Sequence, residues 1–462
     1  MRGQFFATFG LIGGTIVGAI AAPQSELKFK HNNTLWKTLD GKAPKIVGHR
    51  GEKAIMPEHT LGSWHLGIIE HADFVEPDVV LTKDFIPVCY HDLSIGVNTD
   101  VADHPEFAHL KRNLTFYDVG DGIVHITNDW LGESLFFLVF SDFSLAELKT
   151  LRVKHVNVGP KSIRLPYFDQ VFSIPTLVEF LELVANVTEK VGYPTGIIPE
   201  LKHPKYHQDM APDRPHFFED LFLATLANNG YPLHGPWPRS IWIQNFDKKS
   251  AQYLASKTSI PLVQLQYANA DALTYHGLDE IAKYAKAVGP WKQFLVSQTL
   301  DVLKYEGVVY NFDNRTLNSN DVTKIASNPE LVKEYGGFIP PREYVREAHK
   351  RGLQVAGYTY YTSNQPSYRG CETPKGCFTT EDRRDELFYF FELGMDQLFC
   401  ENNAEAVTLR QEYQDRLTGK HTLSVVDYKV TFGKRAVAEV EARAERVREL
   451  YGAGLGGRRF DH

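Results

Sequence analysis

Five side chains able to hold a cation, grip an anion or move a proton stand at the ends of short apolar runs near the start of the chain. They are His49 and Arg50 in Ile46-Val47-Gly48-His49-Arg50-Gly51, Glu76 and Asp78 in Phe74-Val75-Glu76-Pro77-Asp78, and His91 in Val88-Cys89-Tyr90-His91-Asp92. Carboxylates two residues apart in an extended run point to the same side. Glu76 and Asp78 therefore offer paired hard oxygen donors, which suit Mg2+ or Ca2+ rather than zinc. A polar sheet edge is the competing reading, and it fits poorly with Phe74, Val75, Val79 and Val80 around the pair. Imidazole titrates near neutral pH, so His49 and His91 can act as base and acid in turn. The planar guanidinium of Arg50 matches a phosphate.

Glu200 and Lys202 repeat the two-residue spacing in Gly196-Ile197-Ile198-Pro199-Glu200-Leu201-Lys202. A third carboxylate from a distant strand would complete a cation site, and the ammonium beside it would hold a phosphate oxygen. A structural ion pair between the two is the alternative. The remaining histidines, His65, His203 and His207 among them, read as surface or loop residues. His59 reads the same way, although it falls in the motif Pro57-Glu58-His59-Thr60.

These residues need a scaffold that gathers strand ends. Short β-branched runs alternate with segments of helical period, the pattern of βα units around a parallel sheet. Strands are expected at 45–48, 73–80, 195–201, 240–246, 261–266, 307–312, 353–360 and 396–400, and eight of them imply a (β/α)8 barrel. Helices are expected from the Ser144 cap onward, over 278–288, and over 342–350 with Gly352 as the stop. Residues 93–172 are rich in aromatics, Asn, Asp and His and break the alternation. They read as an insertion on the catalytic face, because they follow His91-Asp92. The tail, 416–462, alternates Glu and Arg over 436–450 and reads as a solvated helix with a disordered end.

The net charge of −7, with no basic block in the body, argues against a nucleic-acid partner. Residues 1–21 have the order of a signal peptide, with a basic start, an apolar core and a small-residue cleavage site. A membrane anchor is the alternative, and no later segment reaches spanning length. Secretion, or retention in a cell wall, is the expected fate. Sequons at Asn32, Asn113, Asn186 and Asn314 fit that route. Of the four cysteines, Cys371 and Cys377 flank a polar turn and are expected to form a local disulfide, while Cys89 and Cys400 are expected as buried free thiols.

Taken together, His49-Arg50-Gly51, Pro57-Glu58-His59-Thr60, Glu76-Pro77-Asp78, His91-Asp92 and Glu200-Leu201-Lys202 resemble the glycerophosphodiester phosphodiesterase family. Thr99-Asp100-Val101-Ala102, Asp142-Phe143-Ser144-Leu145 and Ile243-Gln244-Asn245-Phe246-Asp247 are similar to its periplasmic and secreted branch, and the likeness runs over about 45–407. The resemblance implies a barrel over 45–410 that cleaves glycerophosphodiesters to sn-glycerol 3-phosphate and an alcohol through a cyclic phosphate. By position it gives Glu76, Asp78 and Glu200 to one divalent cation, His49 and His91 to acid/base work, and Arg50 and Lys202 to the phosphate. Glu58 and His59 would support these ligands from behind, and Tyr358 and Tyr360 would form an aromatic wall against the substrate. Two departures stand out: His59 occupies a usual Asn, and Cys400-Glu401-Asn402-Asn403 replaces a usual Thr-Asp-Phe/Tyr-Pro. Two other activities compete: a lysophospholipase D or sphingomyelinase D-like enzyme, and a non-catalytic secreted binding protein on the same barrel. Enzymes of the first kind are usually shorter and lack the insertion. Loss of a histidine or a metal carboxylate would mark the second, and all are present.

Overall fold

Proline has no N–H for a strand ladder, and two prolines shape the sheet that carries the site. A computed structural model describes residues 35–112, 114–118, 123–126, 138–155, 164, 166–267, 270–296, 310–312, 315–317, 336–360 and 383–420. Its main sheet comprises β1 (Lys45–Gly48), β2 (Phe74–Val75), β3 (Asp78–Leu81), β4 (Pro87–Cys89), β5 (Gly196–Ile197), β6 (Glu200–Leu201), β7 (Ile243–Asn245), β8 (Leu262–Gln266), β9 (Ala287–Pro290), β10 (Gln354–Tyr360) and β11 (Gln397–Cys400). β2 and β3 are one strand split at Glu76-Pro77, and β5 and β6 are one strand split at Ile198-Pro199. Both proline carbonyls still accept across the seam, Pro77 from the Glu200 N–H at 2.9 Å and Pro199 from the Gln244 N–H at 3.0 Å.

Parallel pairing runs from β1 to β2, on through β5/β6, β7, β8, β9 and β10 to β11, and β11 returns to β1. The sheet therefore closes into the expected eight-stranded barrel. Alternation divides its side chains cleanly. Val47, Phe74, Ile198, Val263, Leu265, Ala287, Ala356 and Phe399 fill the interior. Ile46, Val75, Val79, Ile197, Leu201, Ile243, Val355 and Leu398 lie in the larger core that the surrounding helices cover. Each such side chain contributes about 1.5–3 kcal/mol through burial. Cys89 and Cys400 fall in this outer layer as buried free thiols.

The helices start where side chains can cap them. In α1 (Leu61–Ile69) the Thr60 hydroxyl accepts from the Ser63 N–H; α2 (Leu145–Leu148) and α3 (Leu177–Val191) begin with Ser144/Glu147 and Thr176/Glu179 capping boxes. The remaining helices among the described residues are α4 (Pro204–Asp209), α5 (Phe217–Asn228), α6 (Lys248–Lys257), α7 (Tyr275–Ile281), α8 (Pro341–Lys350), α9 (Arg383–Leu393) and α10 (Asn403–Leu417).

One strand differs from expectation. The sixth barrel strand is β9, not 307–312, and the helix expected over 278–288 ends at Ile281. Leu278, Ile281, Ala285 and Val288 keep a helical spacing across the turn, so a period count cannot separate helix from strand there. What decides is space. A Cβ on Gly289 would stand 2.6 Å from Leu265 Cδ2 and 3.1 Å from the Ala356 carbonyl oxygen, so the barrel needs a bare backbone at that point. Tyr310–Phe312 pairs instead with Arg315–Leu317 as an antiparallel ribbon.

Residues from the 93–172 stretch build a separate small core. Ile95, Val101, Phe107, Phe140, Phe143, Leu148, Leu151 and Val153 pack on Val80, Val88 and Tyr90 of the barrel. Phe168 and Phe172 cover Ala54, Ile55 and Met56 of the loop after β1. His155 reinforces that contact with its Nε2 3.0 Å from the Ile55 carbonyl oxygen. Burial, aided by Arg164, pushes the His155 pKa down to about 4 from an ordinary 6.5. The unfolded chain therefore binds more protons between those values, so this stability is full above pH 6.5 and is lost as pH falls toward 4. The loss expected from His155 is on the order of 3 kcal/mol. Urea midpoints of wild type and His155→Gln should converge with acidification; parallel curves would reject the assignment.

The disulfide expected at Cys371 and Cys377, the 1–21 leader, the 436–450 helix and the sequons at Asn32, Asn113 and Asn314 lie outside the described residues. Asn186 is exposed on α3. Among the described residues no helix is long and apolar enough to cross a membrane.

Candidate active site

Parallel register places Asp78 of β3 directly beside Glu200 of β6, and Glu200 beside Gln244 of β7. Glu76 is two residues before Asp78 and shares its face. The three carboxylates are buried, and each offers an oxygen within 4.8 Å of the others. Their electrostatics show what this clustering demands. Burial, then Asp78, pushes the Glu76 carboxyl well above the usual carboxylate range, and Glu200 is pushed up to about 8 by burial with Asp78 adding, against the pull of Lys202. Burial also opposes a charge on Asp78, but Lys202 and His59 outweigh it and hold its carboxyl well below the usual range. Three carboxylate charges so close and so dry are relieved by a divalent cation, and an all-oxygen donor set fits a hard one.

Strong hydrogen bonds hold the cluster from outside. His59 Nε2 is 2.8 Å from Asp78 Oδ2, the Arg50 backbone N–H donates to Glu76 Oε2 at 2.7 Å, and Gln244 Nε2 donates to Glu76 Oε1 at 3.3 Å. The histidine that replaces the usual Asn thus has the longer reach needed to meet Asp78. It is buried, not a surface residue. His207 is likewise buried, packed on Phe218 with its Nδ1 near Met210 Sδ.

A tight turn after β1 aims the next side chains. Arg50 and Gly51 both have left-handed backbone, with φ of 60° and 90°. A Cβ on Gly51 would meet the Ser63 carbonyl carbon at 2.6 Å, so side chain and φ both forbid anything larger. Gly51→Ala is expected to cost about 1–3 kcal/mol, read as a lower denaturation midpoint; an unchanged midpoint would show that the turn yields freely. The turn sends Arg50 Nη1 to Glu58 Oε1 at 2.7 Å and leaves its Nε 3.4 Å from Asp78 Oδ2. Burial works against the guanidinium charge, yet Glu58, Asp78 and Glu76 outweigh it and raise its pKa.

His49 follows β1, its backbone N–H bonded to the Cys400 carbonyl and its ring edge-on to Phe399. Burial, with Arg50 and Lys53, holds its pKa well below 6.5. His91 does not end a barrel strand as expected. β4 folds back antiparallel on β3, with Val79 opposite Cys89, and the Tyr90 N–H bonds to the Asp78 carbonyl. The hairpin returns His91 to the mouth that a strand end would have given it. There Lys202 Nζ lies 3.2 Å from His91 Nε2 and 3.0 Å from Glu200 Oε1. A protonated lysine only donates, so Nε2 accepts and Nδ1 carries the hydrogen that bonds Asp92 Oδ1. Burial, then Arg50 and Lys202, lowers the His91 pKa to about 4.

The aromatic pair divides. Tyr358 faces the interior core, edge-on to Phe246 at 5.8 Å, with its hydroxyl donating to the Gln266 carbonyl. Tyr360 packs in the outer core against Phe390 of α9, because the ladder to β11 shifts register between Gly357 and Tyr360 and turns its face outward. Sequence reasoning missed Gln244, Lys53, Glu401 and Arg164. Gln244 carried a signal, since it stands two residues before Phe246 on an inward face. Arg164 carried none, because no apolar period runs through the sequence around it.

The chain matches the sequence profile of the Glycerophosphoryl diester phosphodiesterase family over residues 49–396. It is 29% identical to the Arabidopsis thaliana glycerophosphodiester phosphodiesterase GDPD6 over 377 residues, which cover 77% of this chain and 84% of that protein. It is 26% identical to a Haemophilus influenzae glycerophosphodiester phosphodiesterase over 314 residues, 61% of this chain and 77% of the other. A solved Silicibacter pomeroyi structure covers 82% of this chain and 98% of its own at 18% identity with a TM-score of 0.50, and so shares its fold. A profile match across most of the barrel places the chain in the glycerophosphoryl diester phosphodiesterase family, a class of enzymes.

Proposed function

We propose that this enzyme hydrolyses glycerophosphodiesters to sn-glycerol 3-phosphate and an alcohol, using one Mg2+ or Ca2+ held by Glu76, Asp78 and Glu200. The observation that carries the reading is the carboxylate cluster standing beside Lys202 and His91, with Arg50 bonded to the same acidic group. Bound there, the cation supplies Lewis-acid stabilisation of charge on the phosphoryl oxygens.

The chain's own residues account for the remaining steps. Arg50 and Lys202 hold phosphate oxygens and offset charge that develops at phosphorus. In the first half-reaction one of the pair His49 and His91 removes a proton from a glycerol hydroxyl. That oxygen attacks phosphorus, and the other histidine protonates the departing alcohol, leaving a five-membered cyclic phosphate. In the second half-reaction water opens the ring with the proton transfers reversed. A free vicinal hydroxyl is therefore required. Asp92 fixes the tautomer of His91, leaving Nε2 as its unprotonated nitrogen, which faces Lys202. Tyr358 and Phe246 supply apolar surface for the glycerol or the head group. The 1–21 leader supports passage to the outside of the cell.

The decisive assay offers glycerophosphocholine and lysophosphatidylcholine with Mg2+ or Ca2+ and identifies both products. Release of sn-glycerol 3-phosphate and choline is the expected result. Turnover of the lipid alone would replace this reading with a lysophospholipase D activity.

His59 gives a further prediction. It bonds Asp78 from outside, and such partners typically contribute 10–100-fold to metal affinity. His59→Ala should weaken cation binding by about that factor in calorimetry, whereas unchanged affinity would separate His59 from the cation site.

A further inference from the structure

A chain of buried charges runs from the end of the last barrel strand to Arg50. Arg164, which comes from the 93–172 insertion, places Nη2 2.7 Å from both carboxylate oxygens of Glu401. Glu401 directly follows β11 and is wholly buried. Its Oε1 lies 3.6 Å from Lys53 Nζ, and Lys53 Nζ lies 2.6 Å from Glu58 Oε2. The other oxygen of Glu58 accepts from Arg50 Nη1 at 2.7 Å. Cation and carboxylate thus alternate along Arg164, Glu401, Lys53, Glu58 and Arg50. The reaction described above uses only the last of them.

Glu58 is shared between Lys53 and Arg50, and that sharing depends on the carboxylate at the far side of Lys53. Without the Glu401 charge, Lys53, already 2.6 Å from Oε2 of Glu58, would turn toward Oε1 as well and compete there with Arg50. Arg164 would lose the carboxylate that its Nη2 meets at both oxygens, a change that buried cations resist. Released from Glu58, the Arg50 fork would swing toward Asp78, whose Oδ2 is already 3.4 Å from its Nε. A planar fork serves a phosphate only in one orientation.

We propose that Glu401, gripped by Arg164, is a positioning residue that keeps Lys53 on one oxygen of Glu58, leaving the other to Arg50, and so fixes the direction of the Arg50 guanidinium toward the phosphodiester. This rests on the phosphate-holding role given to Arg50. It also gives a purpose to the departure at the eighth strand, where an acidic side chain one carbon longer than Asp stands after Cys400. An insertion residue thereby sets the geometry of a group on the opposite side of the β1 loop.

The test uses the full chain with Glu401→Gln, which keeps shape and removes charge, and Glu401→Gln/Arg164→Gln, which removes one charge of each sign. Two readouts are followed: the KM for glycerophosphocholine, and the Arg50 Nε–H resonance, assigned by its loss in Arg50→Lys. In Glu401→Gln the resonance should shift and KM should rise about tenfold or more, and the double variant should keep both changes because Lys53 still lacks its second carboxylate; recovery there would trace the effect to the Arg164 charge and overturn the proposal. A residue that merely stabilises the fold would lower the melting temperature and leave both readouts in place, which overturns the proposal. A moved resonance with unchanged KM upholds the positioning and removes Arg50 from phosphate binding. If Glu401→Gln fails to fold, Glu401→Asp keeps the charge at shorter reach, and an unmoved Arg50 resonance in that variant overturns the proposal equally.

Discussion

Alanine in place of His49 or His91 is expected to lower kcat by about 10²–10⁴-fold with little change in fold. The two side chains reach the site by different routes, one at the end of β1 and the other on a hairpin that doubles back on β3. Arg50 and Asp78 act electrostatically on both rings. His49 meets the barrel edge-on at Phe399 and His91 sits in the mouth beside Lys202, so loss of either ring should lower the thermal melt only slightly. KM should change little, because proton transfer is a feature of the transition state more than of ground-state binding. Steady-state kinetics on glycerophosphocholine check this. Near wild-type turnover in both variants would sink the acid/base assignment, and loss in one alone would reduce the pair to a single catalyst.

Chelation should remove activity completely and reversibly, and Asp78→Asn should make the loss permanent. Asp78 pairs in register with Glu200, accepts from His59 and lies near Arg50 Nε, so its charge is shared by every part of the centre. The substitution removes a ligand charge and leaves His59 facing an amide. Calorimetry with Mg2+ and Ca2+ should show affinity lower by roughly 100-fold or more, beyond the loss from an outer partner alone. Glu200→Gln should behave alike, although there Lys202 loses its 3.0 Å partner as well, and phosphate binding weakens together with the cation. Full turnover after exhaustive dialysis against EDTA, or unchanged cation affinity in Asp78→Asn, would overturn the metal assignment.

The barrel was readable wherever a short apolar or β-branched run was bounded by turn residues, as at 45–48 or 261–266, because strands buried on both faces are rich in such side chains. It was unreadable at β9, where the run is Ala287-Val288-Gly289-Pro290 and the need for a bare backbone comes from Leu265 and Ala356, both far away in sequence. The carboxylates were legible for a similar local reason, since a spacing of two fixes the face. Their partners were not. Arg164 meets Glu401 across 237 positions, and Gln244 meets Glu76 across 168. No local pattern carries such a pairing. Tyr360 shows the opposite failure: its spacing from Tyr358 promised a common face, and the register shift in β10 withdrew it.

The ladder between β3 and β6 has a consequence for how the protein reaches its working form. That ladder is one seam of the barrel wall, and its register sets Asp78 against Glu200. A slip of one residue on either strand would turn a carboxylate outward, among Leu201, Val79 and their aliphatic neighbours, where a charge finds no partner. Misregistered chains are therefore poor barrels as well as poor catalysts. Strand register and the carboxylate cluster are thus specified by the same pair of side chains.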